Sequence, residues 1–246
     1  MTELSGYAVV SCHVERPLDD AVWRALERLL ERRPAGFVVT PLVRPPALEA
    51  GEDEERWLAR ARRAAELAPL GHHTHWGGPA HARPVGDVDA AAVVRAEIEW
   101  LRARGLEPRW FCGGGWYLDA AVAEELAAAG YVDSSATTFR QPYLDDCAPR
   151  LQLPGPRRLR LPSGSTLLEL PATHSVGMLA RGIARLDGLV HVHFHDWELV
   201  DRRRAVAISA LLRALRVRRK PLAIGELAEL AAGAEELTWP GGTIGP

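Results

Sequence analysis

The chain has 246 residues, of which 47% are hydrophobic, 25% charged and 7% aromatic. This is ordinary globular usage, which excludes disordered, collagen-like and low-complexity proteins. The formal net charge of −2 argues against nucleic acid or an anionic membrane surface as a partner. The length fits one large α/β domain or two small ones. Because no internal repeat or Gly/Ser-rich linker marks a boundary, we expect a single domain over 1–246, with its core at about 7–232.

The cysteines and the start of the chain indicate the compartment. Cys12, Cys112 and Cys147 are widely spaced and form no CxxC motif. An odd number at this spacing disfavours a disulfide scaffold and a cysteine-type zinc site, and favours a reducing compartment. The first residues show no basic segment followed by an apolar run, so no signal peptide is predicted. No apolar run approaches the ~18 residues of a membrane-spanning helix. We therefore expect a cytoplasmic protein.

Apolar, β-branched runs alternate along the chain with segments of helical periodicity. Strands are predicted at 7–12, 36–42, 67–71, 109–112, 131–133, 166–170, 188–194 and 221–224. Helices are predicted at 19–33, 53–67, 89–104, 119–129, 201–218 and 226–232. The irregular stretch 134–165 is long enough to be functional or inserted. Strands separated by helices predict a parallel sheet, in a complete or incomplete (β/α) barrel; a doubly wound open sheet is the alternative.

The histidines carry the functional signal. None of the nine lies in a predicted helix, and almost all lie at or just beyond the carboxyl end of a predicted strand. In a β/α barrel those ends meet at one mouth, where active sites are built. The pattern therefore predicts a metal or acid/base site. The histidines are His13, His72, His73, His75, His81, His174, His191, His193 and His195.

Two segments supply candidate metal ligands. In an extended chain, residues i and i+2 point the same way, so His73 and His75 could both reach one divalent cation. Two strand-end histidines with ordinary hydrogen bonds are the alternative. His72 should face the other side and be structural, and His81 is not expected to be a ligand.

His13 and Glu15 share a face directly after the first strand. A carboxylate with two imidazoles is a common catalytic zinc set that leaves a position open for water. The alternative for Glu15 is a helix-start charge or a salt bridge with Arg16.

Three alternating histidines, at 191, 193 and 195, lie on one face of a predicted strand. His195 is nearest the strand end and is the candidate general acid, with Asp196 or another carboxylate to orient it. The alternative is a polar strand packed against a helix.

The glycine run at 113–115 follows another predicted strand. It lacks the GxGxxG and GK[ST] patterns, so it is a poor nucleotide site. Such a run could let the backbone approach a substrate, with its amides as an oxyanion hole. Trp110, Trp116, Tyr117 and Trp197 could form a platform for stacking sugars, or could belong to the core.

The order of these motifs resembles that of the polysaccharide deacetylases, the NodB-like carbohydrate esterase family 4. These are metal-dependent deacetylases on a distorted (β/α)7 barrel. The stretch from 109 to 135 carries the most specific match, and the resemblance spans about 7–230. The matching segments are SCHVE at 11–15, GHHTHWG at 71–77, RWFCGGGWYLDAAVAEELAAAGYVDSS at 109–135, ELPATHS at 169–175 and HFHDWEL at 193–199.

The sequence departs from the family pattern at three places. The family opens with adjacent aspartates, a base and a metal ligand, where this chain has His13 and Glu15. The second metal histidine falls at Gly77, so His75 is its substitute. The motif arginine falls at Cys112, with Arg109 three residues earlier.

The resemblance implies a role for each remaining candidate. Glu15, His73 and His75 would hold Zn²⁺ or another divalent ion such as Co²⁺, Ni²⁺ or Fe²⁺. His13 would be the base and His195 the acid, with Arg109 as a further catalytic residue. The implied substrate-binding residues are Gly113, Gly114, Trp116, His174 and Trp197.

The expected reaction is hydrolysis of a non-peptide C–N bond, with N-deacetylation of an amino sugar or glycan precursor as the favoured case. The substrate would be a small molecule or an oligosaccharide. Two alternatives stay open: a non-catalytic glycan-binding relative, and a metallo-phosphoesterase on a β/α barrel.

Overall fold

The computed structural model describes residues 3–139 and 151–240, which leaves Cys147 and part of the irregular stretch 134–165 outside the described residues. The chain divides into two compact units. The first unit consists of residues 1–70 and 172–230, and the second of residues 71–171 and 231–246. No helix of the described residues is long and apolar enough to cross a membrane.

Strands and helices alternate over most of the chain, as predicted. The strands are β1 (Tyr7–Val14), β2 (Val39–Val43), β3 (Gly71–Thr74), β4 (Trp110–Gly113), β5 (Val132–Asp133), β6 (Arg157–Arg160), β7 (Thr166–Glu169), β8 (His174–Ser175), β9 (Val190–His195), β10 (Lys220–Pro221) and β11 (Glu236–Thr238). The helices are α1 (Asp20–Arg32), α2 (Glu54–Leu67), α3 (Ala90–Ala103), α4 (Ala120–Ala128), α5 (Val176–Gly182), α6 (Arg202–Arg218) and α7 (Ile224–Ala231).

Aspartates start the long helices where the sequence predicts them to start. In each case the residue before the first helical turn accepts hydrogen bonds from backbone N–H groups that have no partner within the helix. These caps are Asp19, Asp53, Asp89, Asp119 and Asp201. The predicted and observed starts therefore agree to within one residue.

The first unit is built on parallel strands in the order β2–β1–β9–β8, with β10 paired to the start of β1. In the second unit the order is β11–β6–β7–β5–β4–β3, and only β6 and β7 run antiparallel. Helices cover these strands with buried apolar side chains, among them Leu26, Leu30 and Ile208 in the first unit and Val94, Val122 and Leu126 in the second. The α/β class with a mostly parallel sheet is confirmed.

Several short elements differ from the prediction. The predicted strand 221–224 is reduced to Lys220–Pro221, because helix α7 already begins at Ile224. Strand β6 lies inside the stretch predicted to be irregular, and β11 pairs with it. Helix α5 and strand β8 have only seven and two residues, which is too short for a periodicity signal.

A buried ion pair between Arg44 and Glu52 fixes the segments that follow β1 and β2. Both Nη atoms of Arg44 donate to the carboxylate of Glu52, at 2.7 and 2.9 Å, and Arg44 Nε donates to the carbonyl of Glu15 at 3.2 Å. The Arg44 side chain is only 4% exposed. Partial burial alone would raise the pKa of Glu52, but hydrogen bonds from Arg44 and the Ala47 amide hold that pKa below its usual range.

A second buried network lies behind the glycine run. Asp133 and Glu169 are register partners on β5 and β7, and both are fully buried. Ser135 Oγ donates to Asp133 at 2.7 Å and accepts from the Gly113 amide at 2.8 Å, and the Ala136 amide donates to Glu169 at 2.9 Å. Burial raises the pKa of both carboxyl groups, and the nearby Asp133 charge raises the pKa of Glu169 further. Burial and the mutual repulsion of the two carboxylates therefore favour a protonated form of the pair.

Glu52→Ala should lower the free energy of unfolding by about 3 kcal/mol near neutral pH, because it leaves the buried Arg44 guanidinium without its anion. Since the pKa of folded Glu52 is lowered, its contribution is present above the unfolded pKa of about 4.3 and is lost as the pH falls. Urea unfolding at several pH values measures both effects. The exposed Glu49→Ala is the control, and an equal loss in that variant would contradict the assignment.

The buried pair predicts the opposite pH dependence. A carboxyl group whose folded pKa is raised contributes stability at low pH, and this contribution disappears as the pH rises through the folded pKa. Glu169→Gln resembles the protonated acid and keeps an acceptor for the Ala136 amide. We expect it to melt above the wild-type protein at alkaline pH and close to it at acid pH, whereas Glu169→Ala should melt lower throughout. Thermal unfolding followed by circular dichroism tests this, and a Glu169→Gln deficit that grows with pH would contradict it.

Candidate functional site

Two buried imidazoles face each other at the end of β3. His73 and His75 are 1% and 8% exposed, and their Nε2 atoms lie 3.2 Å apart. His73 Nδ1 lies 2.7 Å from the carbonyl oxygen of Cys112, its register partner on β4. Because a carbonyl only accepts, Nδ1–H must donate, and in the neutral ring the lone pair is then on Nε2, the atom facing His75. The sequence prediction that the two side chains point the same way is confirmed.

This pair fits a divalent metal ion. Two nitrogen atoms, each about 2.0–2.1 Å from a tetrahedral Zn²⁺, lie about 3.3–3.4 Å from each other, close to the separation of the Nε2 atoms. The carbonyl hydrogen bond to His73 is the outer support that metal-binding histidines usually have. Within the second unit, the Cys112 thiol is a further side chain that could act as a ligand beside His73.

The other two histidines of this segment have different surroundings. His72 is fully buried, donates through Nε2 to Glu97 Oε2 at 2.8 Å and packs edge-on against Phe111. Thr74 Oγ1 donates to the same carboxylate oxygen at 2.6 Å. His81 is exposed on the following turn. His72 is therefore part of the packing of the second unit.

Gly77 cannot carry a side chain in this conformation. A Cβ added there would lie 2.5 Å from the Cβ of His81, because the chain turns back and the Gly77 amide donates to the His81 carbonyl at 3.0 Å. A histidine at position 77 would require this turn to open. The closed turn and a metal-binding histidine at position 77 are therefore mutually exclusive in this conformation.

The glycine run packs against the chain itself. A Cβ on Gly113 would lie 2.1 Å from the carbonyl oxygen of Tyr117, and one on Gly114 would lie 2.6 Å from that of Thr74. The Gly113 amide donates to Ser135, so it is not available to a substrate oxyanion as the sequence suggested. Trp116 is buried and contacts Phe139 edge-on at 6.1 Å, which is the core alternative considered for these aromatic residues.

Arg109 and Cys112 lie at opposite ends of β4. Arg109 precedes the strand and is exposed, so the structure does not bring it to the end of the strand where Cys112 and Gly113 lie. Burial raises the pKa of the Cys112 thiol well above its ordinary value, and the charges of Asp133 and Glu169 raise it further. This thiol is therefore protonated at neutral pH and is a poor nucleophile.

Three imidazoles cluster in the first unit, where β1 and β9 are register neighbours. His13 stacks on His193 with ring centres 5.6 Å apart, and it contacts His195 edge-on at 5.2 Å. Burial and the neighbouring histidines hold the pKa of His193 well below its usual value. His191 lies two residues before His193 on the same face of β9, and its Nε2 shares a hydrogen bond of 3.0 Å with Ser11 Oγ.

His195 is surrounded by carboxylates. Its Nδ1 lies 3.5 Å from Glu198 Oε1, and its Nε2 lies 3.7 Å from Glu15 Oε1. Burial alone would lower the pKa of His195, but Glu198, Glu15 and Asp196 together raise it above its usual value. These carboxylates therefore favour the charged form of His195, the form that can donate a proton as a general acid.

Glu198 is the carboxylate that the sequence analysis left unnamed. Asp196 accepts the backbone amides of Arg16 and Trp197, both at 2.8 Å, and so fixes the turn. Glu198 instead accepts the His195 amide at 2.9 Å and contacts the ring. The signal was present in the sequence, since Glu198 stands three residues after His195, the spacing of a helical capping box.

Trp197 and His174 lie beside these histidines in the first unit. The Trp197 indole stacks on His195 with ring centres 5.4 Å apart, and its Nε1 donates to Glu15 Oε2 at 3.2 Å. His174 Nδ1 lies 2.7 Å from Thr173 Oγ1, and burial lowers its pKa. Trp197 therefore orients both the candidate acid and the candidate metal ligand Glu15.

Known proteins are similar to this chain in structure but do not match it in sequence searches. No family profile matches the chain, and no curated protein is similar enough in sequence to match. A protein from Mycobacterium smegmatis, assigned as a polysaccharide deacetylase, superposes with a TM-score of 0.68 at 14% identity, over 94% of this chain and 92% of its own. A protein from Bordetella bronchiseptica, assigned as a polysaccharide deacetylase of O-antigen biosynthesis, gives a TM-score of 0.50 at 14% identity, over 93% and 91% of the two chains.

A 4-alpha-glucanotransferase from Thermococcus litoralis is also similar, with a TM-score of 0.59 at 12% identity. The match covers 98% of this chain but only 42% of the glucanotransferase. Identities this low carry information about the fold alone. The chain therefore has the α/β fold, with a mostly parallel sheet, that the polysaccharide deacetylases have, as its sequence motifs implied.

Proposed function

We propose that the protein is a metal-dependent hydrolase of a non-peptide amide bond, with N-deacetylation of an amino sugar or glycan precursor as its reaction. The observation that carries the proposal is the pair of buried Nε2 atoms of His73 and His75, 3.2 Å apart, with the His73 ring fixed from behind by a carbonyl. The fold shared with polysaccharide deacetylases supports the same chemistry.

Glu15, His73 and His75 would hold the ion, and Zn²⁺ suits one carboxylate and two imidazoles best among the divalent candidates. A bound ion would supply a Lewis acid that polarises an amide carbonyl and acidifies water. Trp197 keeps the Glu15 carboxylate in place through its indole N–H, and Arg44 holds the Glu15 backbone. Both contacts reduce the reorganisation that ligand binding would otherwise require.

Proton transfer would be divided between two histidines. His13, which follows Cys12 on β1, would accept a proton from the attacking water. His195 would donate one to the leaving amine, because Glu198 and Glu15 favour its charged form. His174 and Trp197 would contact the substrate, a small molecule or an oligosaccharide.

A non-catalytic glycan-binding relative is the second candidate. The packing at Gly77 favours it, because a histidine of the family pattern cannot occupy that position without opening the turn. The engaged amide of Gly113 also removes one group that would otherwise stabilise an oxyanion. The two candidates differ in whether a metal ion binds and whether acetate is released.

His73→Ala should abolish stoichiometric metal binding, whereas the exposed His81→Ala should leave about one ion per chain. Elemental analysis of untagged protein, purified without chelator and then incubated with Zn²⁺, Co²⁺, Ni²⁺ or Fe²⁺, measures this. Circular dichroism confirms that each variant is folded. An unchanged metal content in His73→Ala, or no metal in the wild-type protein, would sink the proposal and favour the binding relative.

His195→Gln should keep the metal but lower kcat on N-acetylated amino sugars by about 10²–10³ with little change in KM, because only proton donation is lost. Glu198→Gln should cause a smaller loss, since it weakens the orientation of the ring and not the donor itself. Acetate release and metal content are measured on the same samples. Full activity in His195→Gln would exclude it as the acid.

A further inference from the structure

An arginine-lined cleft lies on the outside of the first unit, among residues that the proposed reaction does not use. Helices α1 and α6 follow β1 and β9, which are parallel neighbours, so right-handed connections place both helices on the same face. The cleft between them has a volume of about 650 Å³. Five exposed arginines line it: Arg24, Arg28, Arg32, Arg202 and Arg213.

These arginines have no carboxylate partner in the described part of the chain, and no acidic residue lines the cleft. Arginines elsewhere behave differently: Arg44, Arg63 and Arg95, for example, each pair with a glutamate. The positive charge is therefore concentrated locally in a chain whose net charge is −2.

The nearby acidic groups are already occupied. Glu27 and Glu31, which lie on α1 between the cleft arginines, both accept hydrogen bonds from Arg63, at 2.8 and 2.6 Å. Asp20 pairs with two arginines of α2. Asp201 accepts the backbone amides at the start of α6. None of these carboxylates lines the cleft or offsets its charge at short range.

The helices tolerate this charge at a cost. Arg24, Arg28 and Arg32 are spaced four residues apart on one face, where like charges destabilise a helix. Arg202 lies in the first turn of α6, where a cation opposes the helix dipole. Pro34 and Ala35 also line the cleft, and Ala35 has a left-handed φ of 56°, a strained conformation of the kind that clusters at ligand clamps.

We propose that this cleft binds a soluble oligophosphate chain. The helix positions from Arg24 to Arg32 span about 12 Å along α1 at 1.5 Å per residue, which suits a ligand with several charges in a row. Guanidinium forms paired hydrogen bonds with phosphate oxygens. Small residues such as Ala25, Ala205 and Ser209 leave room for the phosphate chain between the arginines of α1 and those of α6. Among the described residues no aromatic side chain lines the cleft, so it offers phosphate-binding groups and no surface on which a base could stack.

Isothermal titration calorimetry of the full chain with tripolyphosphate at low salt tests the proposal. We expect saturable binding that weakens roughly tenfold or more in the double variant Arg28→Glu/Arg213→Glu. The matched control is Arg203→Glu/Arg216→Glu, which changes the net charge equally on exposed residues that do not line the cleft. This control should keep Kd within about threefold.

Several outcomes would overturn the proposal. These are no saturable heat, equal weakening in both double variants, or binding of poly-glutamate as tight as that of tripolyphosphate. UDP is the arm that separates a nucleotide from a free phosphate chain, and it should bind no tighter than pyrophosphate. Tighter binding of UDP would also overturn the proposal, because it would mean that a base is recognised. None of the substituted residues is a proposed metal ligand, so the result is independent of the proposed hydrolase activity.

Discussion

The hydrogen bond between His73 and the carbonyl of Cys112 decides what the buried imidazole of His73 can do. An imidazole without access to water needs a partner for its N–H, and the carbonyl supplies it at Nδ1. In the neutral ring the lone pair is then on Nε2, which faces His75. The partner comes from the register of β3 on β4, which pairs His73 with Cys112. Strand pairing thus sets the tautomer, and the tautomer sets the capacity to bind a cation.

In the first unit, too, the surroundings of buried imidazoles decide their protonation, but here they act differently on two neighbouring histidines. His193 and His195 are two residues apart on β9, yet their surroundings move their pKa values in opposite directions. Burial among other histidines lowers the pKa of His193, while Glu198 and Glu15 outweigh burial and raise the pKa of His195. Neighbouring titratable groups with opposite shifts are typical of acid/base sites. The carboxylates, and not the position in the strand, distinguish the candidate acid from its neighbour.

The sequence predicted what depends on local pattern. The starts of the five aspartate-capped helices were correct to within one residue because each cap and the periodicity it precedes lie within four residues of each other. The placement of histidines at strand ends was also predictable, because each strand and the histidines that end it are neighbours in the sequence. Contacts between distant segments were not: no local signal pairs Asp133 with Glu169 or Gly113 with Ser135. The glycine run was interpreted as an approach for substrate because its packing partners lie on another part of the chain.

The steric conflict at Gly77 bears on one question: whether the histidine expected at this position is simply absent, or whether His75 takes its place. A histidine at position 77 would require this turn to open, whereas the turn in this chain is closed and His81 occupies the space. Loss of a ligand would leave His73 facing no second nitrogen. Instead His75, two residues along the strand direction, brings its Nε2 to 3.2 Å from that of His73 and is itself buried. This separation lets a neutral His75 donate its Nε2–H to the Nε2 lone pair of His73, and it is close to the distance between two nitrogen ligands of one Zn²⁺, so the pair is geometrically suited to act as two neighbouring ligands.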